Sequence, residues 1–179
     1  APQSADAARL AASVEAANAA VIEAALNGLG KPGMGCTATC AYIENDTLAI
    51  AHVGDSRAYL LHEGTLIRVT RDHSYVEELV DAGEITADEA RVHPNRSVIT
   101  RALGSDPAMY ADHFTLHIEE GDRLILCSDG LSSMIPDSDI ENIATQSSTA
   151  QICVDNLVDA ALAAGGHDNV TVVVVDLVD

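Results

Sequence analysis

The sequence predicts an α+β fold in which antiparallel sheets are covered by helices. Three observations carry that expectation. Short, β-prone apolar runs arrive in pairs joined by tight turns. Long helical stretches lie near both ends of the chain, with shorter ones between the strand pairs. Hydrophobic residues make up 47% of 179 residues, enough to bury one substantial core in a single domain.

The elements follow in order. Ser4 to Leu26 reads as one helix, with Ser4 at its cap and Leu10, Val14, Ala17 and Val21 on one face. Its high alanine content suits close packing on a sheet. Asn27-Gly28 ends it, and Gly30 to Gly35 is a loop. Cys36 to Ile43 and Thr47 to Val53 are strands around the turn Glu44-Asn45-Asp46. Ser56 to Leu61 and Leu66 to Val69 form a second pair around His62-Glu63-Gly64-Thr65, and the spacing reads as a four-strand antiparallel meander.

The segment from Asp72 to Arg101 holds mixed charge and little continuous apolar sequence. Short helices at Ser74 to Ala82 and Thr86 to Arg91 make it a candidate lid or flap. Strands return at His113 to Ile118 and Asp122 to Ser128, joined at Glu119-Glu120-Gly121. Thr149 caps a helix from Ala150 to Ala164, on which Ile152, Leu157, Ala160 and Ala161 form the expected buried stripe, and Gly165-Gly166 stops it. Val170 to Val175 is apolar apart from Thr171 and is expected to be a central strand buried on both faces.

Charge excludes one class of partner. Nine Lys and Arg face 28 Asp and Glu, a net charge of −19, which repels phosphate backbones, so no nucleic-acid partner is expected. No stretch approaches the roughly 18 apolar residues of a membrane span, and no charged leader precedes a short apolar run. Cys36, Cys40, Cys127 and Cys153 form no CxxC pair and sit in apolar runs, where a thiol acts as a small hydrophobe; a reducing cytoplasm is the expected setting, with disulfides the alternative. With one Phe, four Tyr and no Trp, the core is aliphatic.

Three aspartates stand out by position. Asp55 follows a strand in His52-Val53-Gly54-Asp55-Ser56-Arg57. Asp129 follows another in Leu126-Cys127-Ser128-Asp129-Gly130-Leu131, and Asp168 precedes the last in Gly166-His167-Asp168-Asn169-Val170-Thr171. Carboxylates at strand ends can converge on one sheet edge as an oxygen-only site for Mg²⁺ or Mn²⁺. Each also reads as an ordinary turn residue, with Arg57 as a surface ion-pair partner of Asp55, and spacing alone leaves both readings open.

Other candidates are weaker. His52 reads as a packed, hydrogen-bonded strand residue, and His73 and His93 as solvated residues of the flap. Ser128 lacks the G-x-S-x-G setting of a nucleophile elbow. Gly33-Met34-Gly35-Cys36-Thr37 has no G-K-[ST] ending and runs into a strand, so it is not a P-loop. No D-x-D pair offers an aspartyl-phosphate nucleophile.

Taken in order, seven segments resemble the metal-dependent Ser/Thr protein phosphatases of the PPM family (type 2C), in their bacterial form. They are Gly33-Met34-Gly35-Cys36-Thr37-Ala38-Thr39, Ala51-His52-Val53-Gly54-Asp55-Ser56-Arg57-Ala58-Tyr59, Thr70-Arg71-Asp72-His73-Ser74, His93-Pro94-Asn95-Arg96-Ser97, Ile99-Thr100-Arg101-Ala102-Leu103-Gly104, Leu126-Cys127-Ser128-Asp129-Gly130-Leu131 and Asp168-Asn169-Val170-Thr171-Val172. The resemblance implies a four-layer α-β-β-α sandwich of two antiparallel sheets, with a dinuclear Mn²⁺ or Mg²⁺ centre at one edge. By the family's motifs Asp129 and Asp168 ligate those ions, and Asp55 helps hold a further, weaker one that Ser97 faces. The flap spans Tyr75 to Ser97. Phosphoserine and phosphothreonine proteins are the implied substrates, bacterial Ser/Thr kinases and their substrates the implied partners, and attack by metal-activated water the implied chemistry.

The sequence departs from the family at its start. It begins at the helix that follows D-G-M-G-G, so the bridging Asp and Gly, their acidic partner, the phosphate-binding Arg and the N-terminal strands are absent from this chain. The opening Ala1-Pro2, without Met, suits an N-terminally incomplete catalytic domain. The alternative is a natural chain that has lost catalysis and serves as a binding or scaffold module.

Overall fold

The structure, a computed structural model, describes residues 5–178, so the expected cap at Ser4 lies outside the described residues. Two compact units form. One takes the chain up to Asp55 together with Asp72–Ile118, and the other takes Ser56–Arg71 and the chain from Glu119 onward. Each has its own antiparallel sheet and its own apolar cluster.

In the first unit, strands β1 (Ala38–Glu44), β2 (Thr47–Val53) and β5 (Asp112–His117) lie in the order β1-β2-β5. The β1-β2 register runs from Ala38↔Val53 to Glu44↔Thr47, and β2-β5 from Thr47↔His117 to His52↔Asp112. Helix α1 (Ala5–Leu26) packs on this sheet. Its buried stripe is Ala7, Ala11, Val14 and Asn18, rotated from the expected one, so Ala17 is exposed. Asn18 explains the rotation. Its side chain donates to the Asp106 carbonyl at 2.8 Å and accepts from the Gly104 N–H at 2.7 Å, so a polar residue on the inner face is satisfied there. The flap carries α2 (Tyr75–Asp81), capped by Ser74, and α3 (Ala87–Val92), closed by a Thr86–Glu89 capping box.

In the second unit, β3 (Arg57–His62), β4 (Thr65–Arg68), β6 (Arg123–Cys127) and β7 (Val172–Asp176) order as β4-β3-β6-β7. The expected meander is therefore two separate hairpins. β2 pairs with β5 and β3 with β6, because the chain changes sheet at Gly54-Asp55-Ser56 instead of turning back on itself. Helices α4 (Asp129–Ser132), α5 (Asp137–Gln146) and α6 (Ala150–Ala163) complete this unit. Thr149 caps α6 as expected, while Cys153, Leu157 and Ala161 form its buried face and Ile152 is exposed. β7 is a second departure. Among the described residues it is an edge strand, paired only to β6, and Val173 remains 49% exposed.

The second cluster is aliphatic apart from Cys127, Cys153 and Tyr59, the largest fully buried side chain. Tyr59 donates its hydroxyl to Asp137 at 2.9 Å and receives Arg57 at 3.1 Å, and burial pushes its phenol well above the ordinary value. Arg57 is thus a partly buried brace that also approaches Asp137 at 3.5 Å. Arg123 is buried as well. It reaches Asp176 at 2.5 Å and donates to the carbonyls of Ala144 and Ser147 at 2.6 and 2.9 Å, which satisfies the end of α5. His62 meets the buried Asp122 at 2.7 Å, and that hydrogen bond and charge raise its imidazole pKa. All four cysteines are free, with Cys127 and Cys153 buried and Cys36 exposed. Among the described residues, no helix is long and apolar enough to cross a membrane.

Candidate functional site

The site builds from the second unit's strand ends. β6 runs to Cys127, Ser128 is still extended as the N-cap residue of the next helix, and α4 starts at Asp129. Ser128 stitches this turn to the approach of β7. Its N–H donates to the Thr171 carbonyl at 3.0 Å, and its hydroxyl accepts from the Thr171 N–H at 3.0 Å and donates to the Asn169 carbonyl at 3.3 Å. Gly130 then lies against Asn169. A Cβ at Gly130 would collide with the Asn169 carbonyl, 2.9 Å from its carbon. The absence of a side chain at one position thus lets two acidic turns abut.

Asp129 is half-buried and Asp168 exposed. The Asp129 main-chain carbonyl takes the Ser133 N–H at 2.8 Å and the Ser133 hydroxyl at 2.6 Å, which secures the short α4 turn. Asp168 folds one carboxylate oxygen onto the Asn169 N–H at 2.7 Å. The pair is an oxygen-only donor set, the kind that hard divalent cations select. It fits part of a Mn²⁺ or Mg²⁺ ligand shell. Among the described residues no three His, Cys, Asp or Glu side chains cluster closely enough to hold an ion by themselves.

Asp55 and Ser97 belong to the first unit. Asp55 follows Gly54, whose φ of +111° is open to glycine and whose Cβ position is filled by Thr37. Ser97 is exposed, in a turn closed by the Val98 N–H on the Asn95 carbonyl at 3.0 Å. His52 is buried and shares a 2.9 Å hydrogen bond with Thr39, as a packed strand histidine should. His73 departs from expectation. It is 3% exposed, not solvated, because Gly54 and Asp112 occupy both ring nitrogens. Neither Asp112 nor Arg101, which holds Asp112 at 2.6 Å, was singled out by the sequence as a site residue. The Thr70-Arg71-Asp72-His73-Ser74 motif was the available signal, masked by the polar segment around it.

Residues 8–170 match the family described as protein phosphatase 2C. The chain belongs to this family. It is 40% identical over 144 residues to the serine/threonine phosphatase stp of Listeria welshimeri, covering 80% of this chain and 57% of that protein. It is 42% identical over 175 residues to the serine/threonine protein phosphatase PstP of Mycobacterium tuberculosis, covering 96% of this chain and 33% of that one. The chain therefore spans only part of the length of these relatives. The crystal structure of the M. tuberculosis phosphatase PstP/Ppp superposes with a TM-score of 0.90 at 40% identity, over 96% of this chain and 72% of that one. A PstP catalytic domain in complex with two manganese ions superposes at 0.88 with 37% identity, over 100% of this chain and 74% of that chain. These phosphatases share the expected class of mixed α and β structure with two antiparallel sheets and flanking helices.

Membership of the protein phosphatase 2C family gives Gly130 a testable consequence. Gly130→Ala forces the Asn169 backbone aside, with an expected loss of about 1–3 kcal/mol of stability. Thermal melts check this, and a variant with wild-type melting refutes the close approach.

Proposed function

We propose that this chain provides part of the metal-binding and catalytic residues of a protein serine/threonine phosphatase acting on phosphoserine and phosphothreonine in proteins. The observation that carries the reading is the abutment of the Asp129 and Asp168 turns across Gly130, inside a family match that runs continuously from residue 8 to 170. On this reading Asp129 and Asp168 hold Mn²⁺ or Mg²⁺, while Asp55 holds a further, weaker ion with Ser97 facing it. The bound ions supply Lewis-acid stabilisation of the phosphoryl oxygens and acidify the attacking water. The chain's own part is positional. Ser128 locks the two turns together, Gly130 sets their separation, and the Ser133 bonds to the Asp129 carbonyl fix the direction from which its carboxylate departs.

The match over residues 8–170 also supports placing residues 1–179 within one catalytic domain, with 75–97 as its flap. A cytoplasmic setting, with bacterial Ser/Thr kinases and their substrates as partners, follows from the same reading. No observation favours the non-catalytic scaffold. The test is hydrolysis of p-nitrophenyl phosphate and a phosphothreonine peptide by the full-length protein, with and without Mn²⁺. Mn²⁺-dependent release of phosphate is expected, and its absence overturns the reading.

A further inference from the structure

His73 grips one residue twice. Its N–H donates to the Gly54 carbonyl at 2.7 Å, and its ring Nδ1 accepts the Gly54 N–H at 3.0 Å. This happens where the sheet runs out. The β2-β5 register ends at His52↔Asp112, so the buried backbone beyond it needs partners from elsewhere. His73 supplies them, and its own carbonyl takes the Thr100 N–H at 2.8 Å.

The ring's orientation is determined in turn. With Nδ1 accepting, the ring proton sits on Nε2, which donates to Asp112 Oδ2 at 3.0 Å. Arg101 Nη1 also lies 3.0 Å from Nε2, but a protonated nitrogen cannot accept from it, and its bond goes to Asp112 Oδ1 at 2.6 Å. Arg101 is fixed from the other side by Tyr110, whose ring centroid lies 4.1 Å from the guanidinium carbon and whose hydroxyl is 3.0 Å from Nη2. His52 stacks beside His73 at 5.0 Å. Burial alone pushes the Asp112 carboxyl up, yet the hydrogen bonds from His73 and Arg101 and the Arg101 charge hold it below its ordinary value.

We propose that His73 is a positioning residue for the Asp55 carboxylate, acting through Gly54, and that the Asp112–Arg101 pair fixes the ring that does so. The part of this that concerns metal binding rests on the reading of Asp55 as a ligand. A mere packing role would require a ring of the right size. The positioning role requires an acceptor at the Nδ1 position, and two substitutions separate these. His73→Asn places an oxygen near Nδ1 but falls short of Asp112. His73→Gln reaches toward Asp112 but leaves the Gly54 N–H without its acceptor.

Amide hydrogen exchange on the metal-free, full-length protein reads the clamp directly. The Gly54 amide is expected to exchange at least about fivefold faster in His73→Gln, the equivalent of one ordinary hydrogen bond, and at near the wild-type rate in His73→Asn. Mn²⁺ titration, followed by paramagnetic broadening of the Asp55 amide, should need about fivefold more ion in His73→Gln and recover in His73→Asn. Equal exchange in all three proteins overturns the proposal, as do equal losses that follow a shared drop in melting temperature. Asp112→Asn is a milder variant should either His73 variant fail to fold. Gly54 exchange about threefold faster supports the relay, and unchanged exchange overturns it. If Asp55 shows no Mn²⁺ broadening in wild type while the Gly54 pattern holds, the ligand reading has failed and the clamp has not.

Discussion

Asp129→Asn is expected to lower Mn²⁺-dependent hydrolysis of a phosphothreonine peptide by at least about a hundredfold, equivalent to ~2.7 kcal/mol of barrier. Asn matches Asp in shape but brings no negative charge, and a hard divalent ion selects charged oxygen ligands. The bonds that hold α4 at this point, from Ser133 N–H and hydroxyl, go to the main-chain carbonyl, which the substitution leaves in place. The lost charge at the first turn of a short helix removes only about 0.3–1 kcal/mol. Activity and stability should therefore separate: kcat/KM falls steeply while the melting temperature moves by a few degrees at most. Retained activity in the full-length protein would refute the assignment of Asp129. A collapse of the melt would show that the carboxylate is structural.

What the sequence reveals follows from what a linear pattern can encode. Strand pairs, caps and turns are local, so the β1-β2 and β3-β4 hairpins and the Thr149 cap are legible directly from residue type. Sheet membership is not local. Nothing between Val53 and Arg57 says that β2 will pair with β5 and β3 with β6, and four strands at even spacing look like one meander. The valine run Val172 to Val175 reports high β-propensity, but edge position depends on which neighbours pair with it, among the described residues β6 alone. The two aspartate turns were legible because each stands beside glycine or asparagine at a strand end. His73 was not, because its burial comes from Asp112 and Arg101, respectively 39 and 28 residues away along the chain.

Arg123→Met should be the most destabilising single substitution outside the site, by about 3 kcal/mol. Methionine keeps much of the apolar stem and removes the guanidinium alone. Three acceptors then lose Arg123 as a donor: Asp176, 31% exposed and still holding the Ala150 N–H, and the carbonyls of Ala144 and Ser147. The penalty arises from leaving polar groups stranded rather than from any great strength of the ion pair. A second substitution, Asp176→Asn, should therefore restore part of the loss in the Arg123→Met background while lowering stability in the wild type. The pH dependence has a definite sign. The hydrogen bond from Arg123 is the main reason the Asp176 carboxyl lies below its ordinary 3.8, with burial opposing it. A carboxylate with a lowered folded pKa contributes stability that is present above 3.8 and lost as pH falls through the folded value. Arg123→Met lacks that contribution at every pH. The gap between wild type and variant in chemical denaturation should thus be full at neutral pH and narrow below 3.8, and a gap that widens in acid would rule out the Asp176 pairing as its origin.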